Sequence, residues 1–130
     1  MEVNNKGRFS VLIAEDEEPA MDYLVELASK RTEFKSCRCS MDGKDTLEKL
    51  LNENYDILFL DINLTVISGI EILKKIKNPP YVIITTAYPY PALHDLNIAE
   101  MDYLFKPFSE DMFNNVVEKA INNLNKQDHC

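Results

Sequence analysis

The chain has 130 residues, enough for one domain that buries about two-thirds of its unfolded surface, and no second domain is expected. Its 45% hydrophobic and 28% charged residues are ordinary for a globular protein and exclude a disordered one. Fourteen basic against 22 acidic residues give a formal charge of −8, which excludes nonspecific nucleic-acid binding, because phosphate neutralisation needs clustered Lys and Arg.

Residues 1–8 are polar and read as an N-terminal extension. They lack the apolar centre of a secretory signal, and no run approaches the ~20 residues that span a bilayer, so a cytoplasmic protein without membrane association is expected. A continuous apolar run over residues 9–14 predicts the first strand, buried on both faces. The helix after it holds Glu17, Glu18 and Pro19 in its first turn, groups suited to a positive helix N-terminus, and Ala20, Leu24, Leu27 and Ala28 mark its buried stripe. Residues 34–40 give a more polar strand suited to a sheet edge. It places Cys37 and Cys39 on one face by alternation. With Cys130 the count is odd, which in a chain without an export signal predicts free thiols. A lone C-x-C is a weak metal signal, so Cys37 and Cys39 are assigned to core packing. Asp42-Gly43 opens a second helix with Leu47, Leu50 and Leu51 on one face.

Residues 55–61 form the most hydrophobic strand, and Ser68 with Glu71 three residues later makes a capping box for a helix through Lys75, ended by Asn78-Pro79-Pro80. Residues 81–86 are the fourth strand. Pro89 and Pro91 then break the chain before a short helix over residues 92–97, and residues 101–105 are the fifth strand. Lys106-Pro107 ends it, and Ser109 caps a last helix with the stripe Phe113, Val116, Val117, Ala120 and Leu124. Five alternating units with right-handed crossovers predict an α/β fold, a doubly wound parallel sheet of order 2-1-3-4-5, in one (βα)5 domain over residues 9–125 with a tail at 126–130.

In that order strands one and three are neighbours at the topological switch point, where ligands bind beyond the strands' carboxyl ends. Strand one delivers Glu15 and Asp16 there, and strand three delivers Asp61. At about 4 Å and an effective dielectric near 20, each like-charged pair repels by roughly 4 kcal/mol, so the cluster calls for a hard divalent cation. Strand four adds the Thr86 hydroxyl and strand five the Lys106 amine. Three acids, a hydroxyl and an amine can hold Mg²⁺, offer Asp61 as a nucleophile and neutralise a phosphoryl group. Phosphoryl transfer to Asp61 follows as the expected chemistry.

Over residues 9–124 the chain resembles the receiver domain of two-component response regulators. The motifs are Leu12-Ile13-Ala14-Glu15-Asp16-Glu17, Leu60-Asp61-Ile62-Asn63, Ser68-Gly69, Thr86-Ala87 and Tyr103-Leu104-Phe105-Lys106-Pro107-Phe108. Thr85-Thr86-Ala87-Tyr88 and the residues around Lys106 look most like the receivers of LytTR-type transcription regulators. The resemblance implies a flavodoxin-like fold and a phosphate accepted by Asp61 from a phosphohistidine on a sensor histidine kinase. It implies Mg²⁺ held by the Glu15 and Asp16 pair, Asp61 and the Asn63 backbone carbonyl. By the same analogy Thr86 is the switch hydroxyl, Lys106 the phosphate-pairing lysine in a cis Lys106-Pro107 link, and Tyr103 the aromatic that turns on activation. That turn would remodel the surface of the fourth helix, fifth strand and fifth helix, including Leu93, Met101 and Phe105. A phosphorylation-dependent homodimer and an output domain outside this chain, through which alone DNA would be met, are also implied. Thr65 departs from the family's usual proline, and Glu15 from its commoner aspartate.

On this reading the chain is a switch that catalyses only its own phosphorylation and dephosphorylation. The stretch from Phe59 to Val66 also looks like the nucleophile motif of haloacid-dehalogenase-type phosphatases, but these want a second Asp where Asn63 stands, and Asn63 cannot act as a carboxylic acid. A pseudo-receiver that binds a partner without phosphorylation would be expected to lack some of the acids or the lysine. Glu17 and Glu18 are given no ligand role, Thr85 is expected to pack against a helix, and His94 and His129 are assigned to the surface.

Overall fold

A computed structural model describes residues 7–87 and 101–128. Its strands are β1 (Phe9–Ala14), β2 (Phe34–Ser40), β3 (Ile57–Asp61), β4 (Tyr81–Thr86) and β5 (Asp102–Phe105), all parallel in the order 2-1-3-4-5. This is the expected doubly wound sheet. The helices are α1 (Glu18–Ser29), α2 (Gly43–Asn52), α3 (Gly69–Lys75) and α4 (Glu110–Asp128). The helix expected over residues 92–97 lies outside the described residues, as do Tyr88, Leu93, His94, His129 and Cys130. Helix α4 runs on past position 125, beyond which the sequence placed a tail. None of the described helices is long and apolar enough to cross a membrane.

Strand alternation divides the core in two. Val11, Ile13, Ile57, Phe59, Ile83 and Leu104 face one side, where α1 supplies Met21, Leu24, Leu27 and Ala28 and α4 supplies Phe113, Val117, Ala120 and Ile121. Leu12, Ala14, Leu58, Leu60, Val82 and Ile84 face the other, under Leu47 and Leu50 of α2 and Ile72 and Leu73 of α3. Phe59 stacks on Phe113 with ring centroids 5.4 Å apart. Burying such side chains, each worth roughly 1.5–3 kcal/mol, fixes strand register and so fixes which residues stand at the strand tips.

Local chemistry sets the helix ends. Asp42 accepts from the Asp45 amide at 2.7 Å, Ser68 from that of Glu71 at 3.2 Å and Ser109 from that of Met112 at 3.1 Å, satisfying N–H groups that have no partner within the helix. The assignments of one leucine and two cysteines are corrected. Leu51 is 64% exposed, since the α2 stripe narrows to Leu47 and Leu50. Cys37 and Cys39 are exposed free thiols, because β2 is an edge strand that none of the described helices covers as fully as the inner strands.

Candidate functional site

β1 and β3 are hydrogen-bonded neighbours, paired Ala14 to Leu60, so the residues that follow them emerge side by side. Carboxylate oxygens of Glu15, Asp16 and Asp61 lie within 4.8 Å of one another. Glu15 is fully buried and Asp61 4% exposed, while Asp16 is half-buried. From the tip of β5, Lys106 Nζ reaches Glu15 Oε1 at 2.7 Å and Asp61 Oδ2 at 3.2 Å. The Asn63 amide donates to Asp61 Oδ1 at 3.0 Å, and the Glu17 amide to Glu15 Oε2 at 3.2 Å. The backbone thus aims N–H groups at both buried carboxylates. Asp16, Glu17, Asp61, Asn63, Ala87 and Lys106 line an open cleft of about 320 Å³ above them.

The electrostatics follow from burial and counting. Burial pushes the Glu15 carboxyl above the usual carboxylate range; the Lys106 hydrogen bond pulls it back and the Asp61 charge adds to the rise. Burial alone would lower Lys106, but the Glu15 hydrogen bond and the charges of Asp61 and Glu15 carry it above the ordinary lysine value. Three carboxylates against one ammonium leave an uncompensated negative charge facing an open cleft. All the available donors are hard oxygens, the ligand type that Mg²⁺ prefers, so the residues present fit that ion.

Thr86 ends β4, 1% exposed, and its carbonyl accepts from the Lys106 amide at 2.8 Å. Tyr103 pairs with Ile84 on the α2 and α3 side of the sheet, half-buried, with its ring 5.8 Å from that of Phe105. The Lys106-Pro107 bond is cis. Thr85 is fully buried and sits opposite Asp61 in the β3–β4 register. Its Oγ1 is the one buried side-chain polar atom among the described residues without a hydrogen-bond partner.

Sequence reasoning passed over three contributors. Glu17 lines the cleft through its place beside Asp16, the one signal that pointed to it. Gly43 abuts the loop after Asp61 so closely that a Cβ there would lie 1.7 Å from the Ile67 carbonyl oxygen. Tyr23 of α1 donates its hydroxyl to the Phe108 carbonyl at 2.9 Å.

Comparison with known proteins agrees with this geometry. A family model described as the response regulator receiver domain matches residues 11–118. The sensory transduction protein LytR of Staphylococcus haemolyticus is 38% identical over 124 residues, covering 91% of this chain and 48% of that protein. The transcriptional regulatory protein LytR of Staphylococcus aureus is 36% identical over 112 residues, covering 84% of this chain and 46% of that protein. The chain therefore spans about half the length of these curated relatives. Among solved structures, the response regulatory domain of protein mrkE from Klebsiella pneumoniae superposes with a TM-score of 0.78 at 26% identity, over 90% of this chain and 98% of that one. Sequence model, relatives and architecture converge, and the chain belongs to the receiver domains of two-component response regulators, similar to those of the LytR regulators.

Proposed function

We propose that Asp61 is the phosphoacceptor of a Mg²⁺-dependent switch driven by a sensor histidine kinase. One observation carries this reading: a buried carboxylate at the tip of β3 is held between a lysine and two further acids beside an open cleft. In the reaction an Asp61 oxygen attacks the phosphorus of the kinase's phosphohistidine, the P–N bond breaks, and the phosphoryl group remains on Asp61 as an acyl phosphate. Glu15, Asp16, Asp61 and the Asn63 backbone carbonyl would hold Mg²⁺, which when bound offsets the phosphoryl charge and polarises its oxygens. Lys106 keeps Asp61 oriented beforehand and pairs with the phosphoryl oxygens afterwards. Thr86 then turns its hydroxyl to the new group, and Tyr103 follows into the space released.

The phosphoryl group brings about −1.5 to −2 charges at pH 7, and the change is passed to the surface of β5 and α4. The described exposed apolar side chains on these elements are Phe105 and Met112, 42% and 44% exposed. They suit a phosphorylation-dependent homodimer. We further propose a cytoplasmic setting, a receiver unit over residues 9–125 behind a polar extension at 1–8, and residues 126–130 leading to an output domain that acts in transcription. The names and greater length of the LytR relatives support that output.

Acetyl phosphate with Mg²⁺ should add one phosphoryl mass to the wild type, with loss of the adduct in Asp61→Asn and in EDTA. An undiminished adduct in Asp61→Asn would refute the assignment. Size-exclusion chromatography with beryllofluoride, a phosphoryl mimic, should show a larger species for the wild type alone.

A further inference from the structure

We propose that Tyr23 is a positioning residue for Lys106, acting by tying the segment that carries the lysine to the helix that follows Glu15 and Asp16. The inference rests on the phosphoacceptor reading of Asp61. Tyr23 lies in α1, half-buried, and its hydroxyl donates to the Phe108 carbonyl at 2.9 Å across 85 residues of sequence. Its ring lies against that of Phe108, with centroids 5.5 Å apart and planes tilted by 38°. Two residues earlier the Lys106 amide donates to the Thr86 carbonyl at 2.8 Å. The run Lys106-Pro107-Phe108 is therefore pinned at both ends, to β4 at the first residue and to α1 at the last. Pro107 has no N–H with which to anchor the middle.

This matters because a lysine ammonium sits on a flexible four-carbon stem, so its reach is set by where its Cα is held. Lys106 Nζ must meet Glu15 at 2.7 Å and Asp61 at 3.2 Å, and the first of these follows β1 directly into α1. Tying Phe108 to α1 references the lysine's own backbone to the element that continues from its carboxylate partner. Other ties to α4 come from the two residues that follow α1: Lys30 to Glu110 at 3.4 Å, and Arg31 to Asn114 at 3.3 Å and to Glu118 at 2.8 Å. They dock the last helix without holding the Phe108 carbonyl. The hydroxyl of Tyr23, rather than its ring, is thus the atom that positions the segment, since phenylalanine would pack as well.

The test is Tyr23→Phe, which removes one oxygen and keeps the ring. Three quantities are read on wild type and variant: the initial rate of phosphoryl adduct formation with acetyl phosphate, the Mg²⁺ dissociation constant by calorimetry without phosphodonor, and the thermal midpoint. Since small misplacements of a reacting group cost large factors in rate, the variant should form adduct roughly three- to tenfold more slowly. Its Mg²⁺ affinity should stay within about twofold, because the carboxylates are untouched. Its midpoint should fall by no more than about 4 °C, the effect of losing one ordinary hydrogen bond. A variant as fast as the wild type overturns the proposal. So does a rate loss matched by an equal loss of Mg²⁺ affinity, which would mark a general loosening. A wild type that takes no phosphoryl group sinks the reading of Asp61 itself, and this inference with it.

Discussion

Glu15 is held in a state that the folded protein would relieve if it could. Its carboxyl is raised above the ordinary 4.5, first by burial, although Lys106 lies 2.7 Å away. A group whose value rises on folding adds stability that is fully present below its unfolded value and is lost as pH climbs through the folded one. From about pH 4.5 upward, then, ionised Glu15 opposes folding while no metal ion is bound. Glu15→Gln should stabilise the metal-free chain at pH 7 by about 1 kcal/mol and leave it nearly unchanged near pH 4, with urea midpoints in EDTA as the measurement. An equal effect at both pH values would remove burial as the cause. The residues of this cluster were legible in the sequence because an acid at the end of an apolar run is visible locally. Tyr23 was not, since its partner stands 85 residues away and half-buried tyrosines are common. Cys37 and Cys39 misled because alternation says which residues share a face but not whether anything covers it.

Elements were legible where burial on both faces gave a continuous apolar run, as in β3, whose five residues are all buried. Alternating units then left few topologies, and the order 2-1-3-4-5 followed. Contacts between one element's end and another's loop left no such trace. The amide of Gly43, first residue of α2, donates to the Thr65 carbonyl at 2.8 Å, and the missing side chain is what lets the two backbones meet. That loop leaves Asp61, returns through Val66 at φ 72° and ends where Gly69 abuts the Asp61 carbonyl, with a Cβ there only 2.6 Å away. Gly43→Ala should therefore separate α2 from the loop that follows Asp61. The expected loss is about 3 kcal/mol in urea unfolding, well beyond the few tenths that an ordinary surface change produces. A neutral Gly43→Ala would mean that the loop yields freely, and that α2 does not help to hold Asn63 beneath the cleft.

At the scale of the whole molecule two electrostatic effects overlap, and they can be separated. A formal charge of −8 makes the fold repel itself, so any added salt should raise its stability by screening. Exposed pairs such as Arg38 with Glu53 work weakly against this, because each contributes little and is screened in turn. Site binding by Mg²⁺ obeys a different law, growing as the logarithm of ion concentration over its dissociation constant, about 1.4 kcal/mol at tenfold excess. At matched ionic strength MgCl₂ should thus raise the thermal midpoint above that in NaCl by roughly 4 °C. Asp16 is the residue through which to test the difference. It lines the cleft half-buried, as one of the three clustered carboxylates, while Lys106 bridges the other two. Asp16→Asn should abolish the excess from MgCl₂ while leaving the response to NaCl intact. Were the two salts equivalent in the wild type, the acid cluster would be only part of a diffuse negative field, and the proposed metal site would be lost with it.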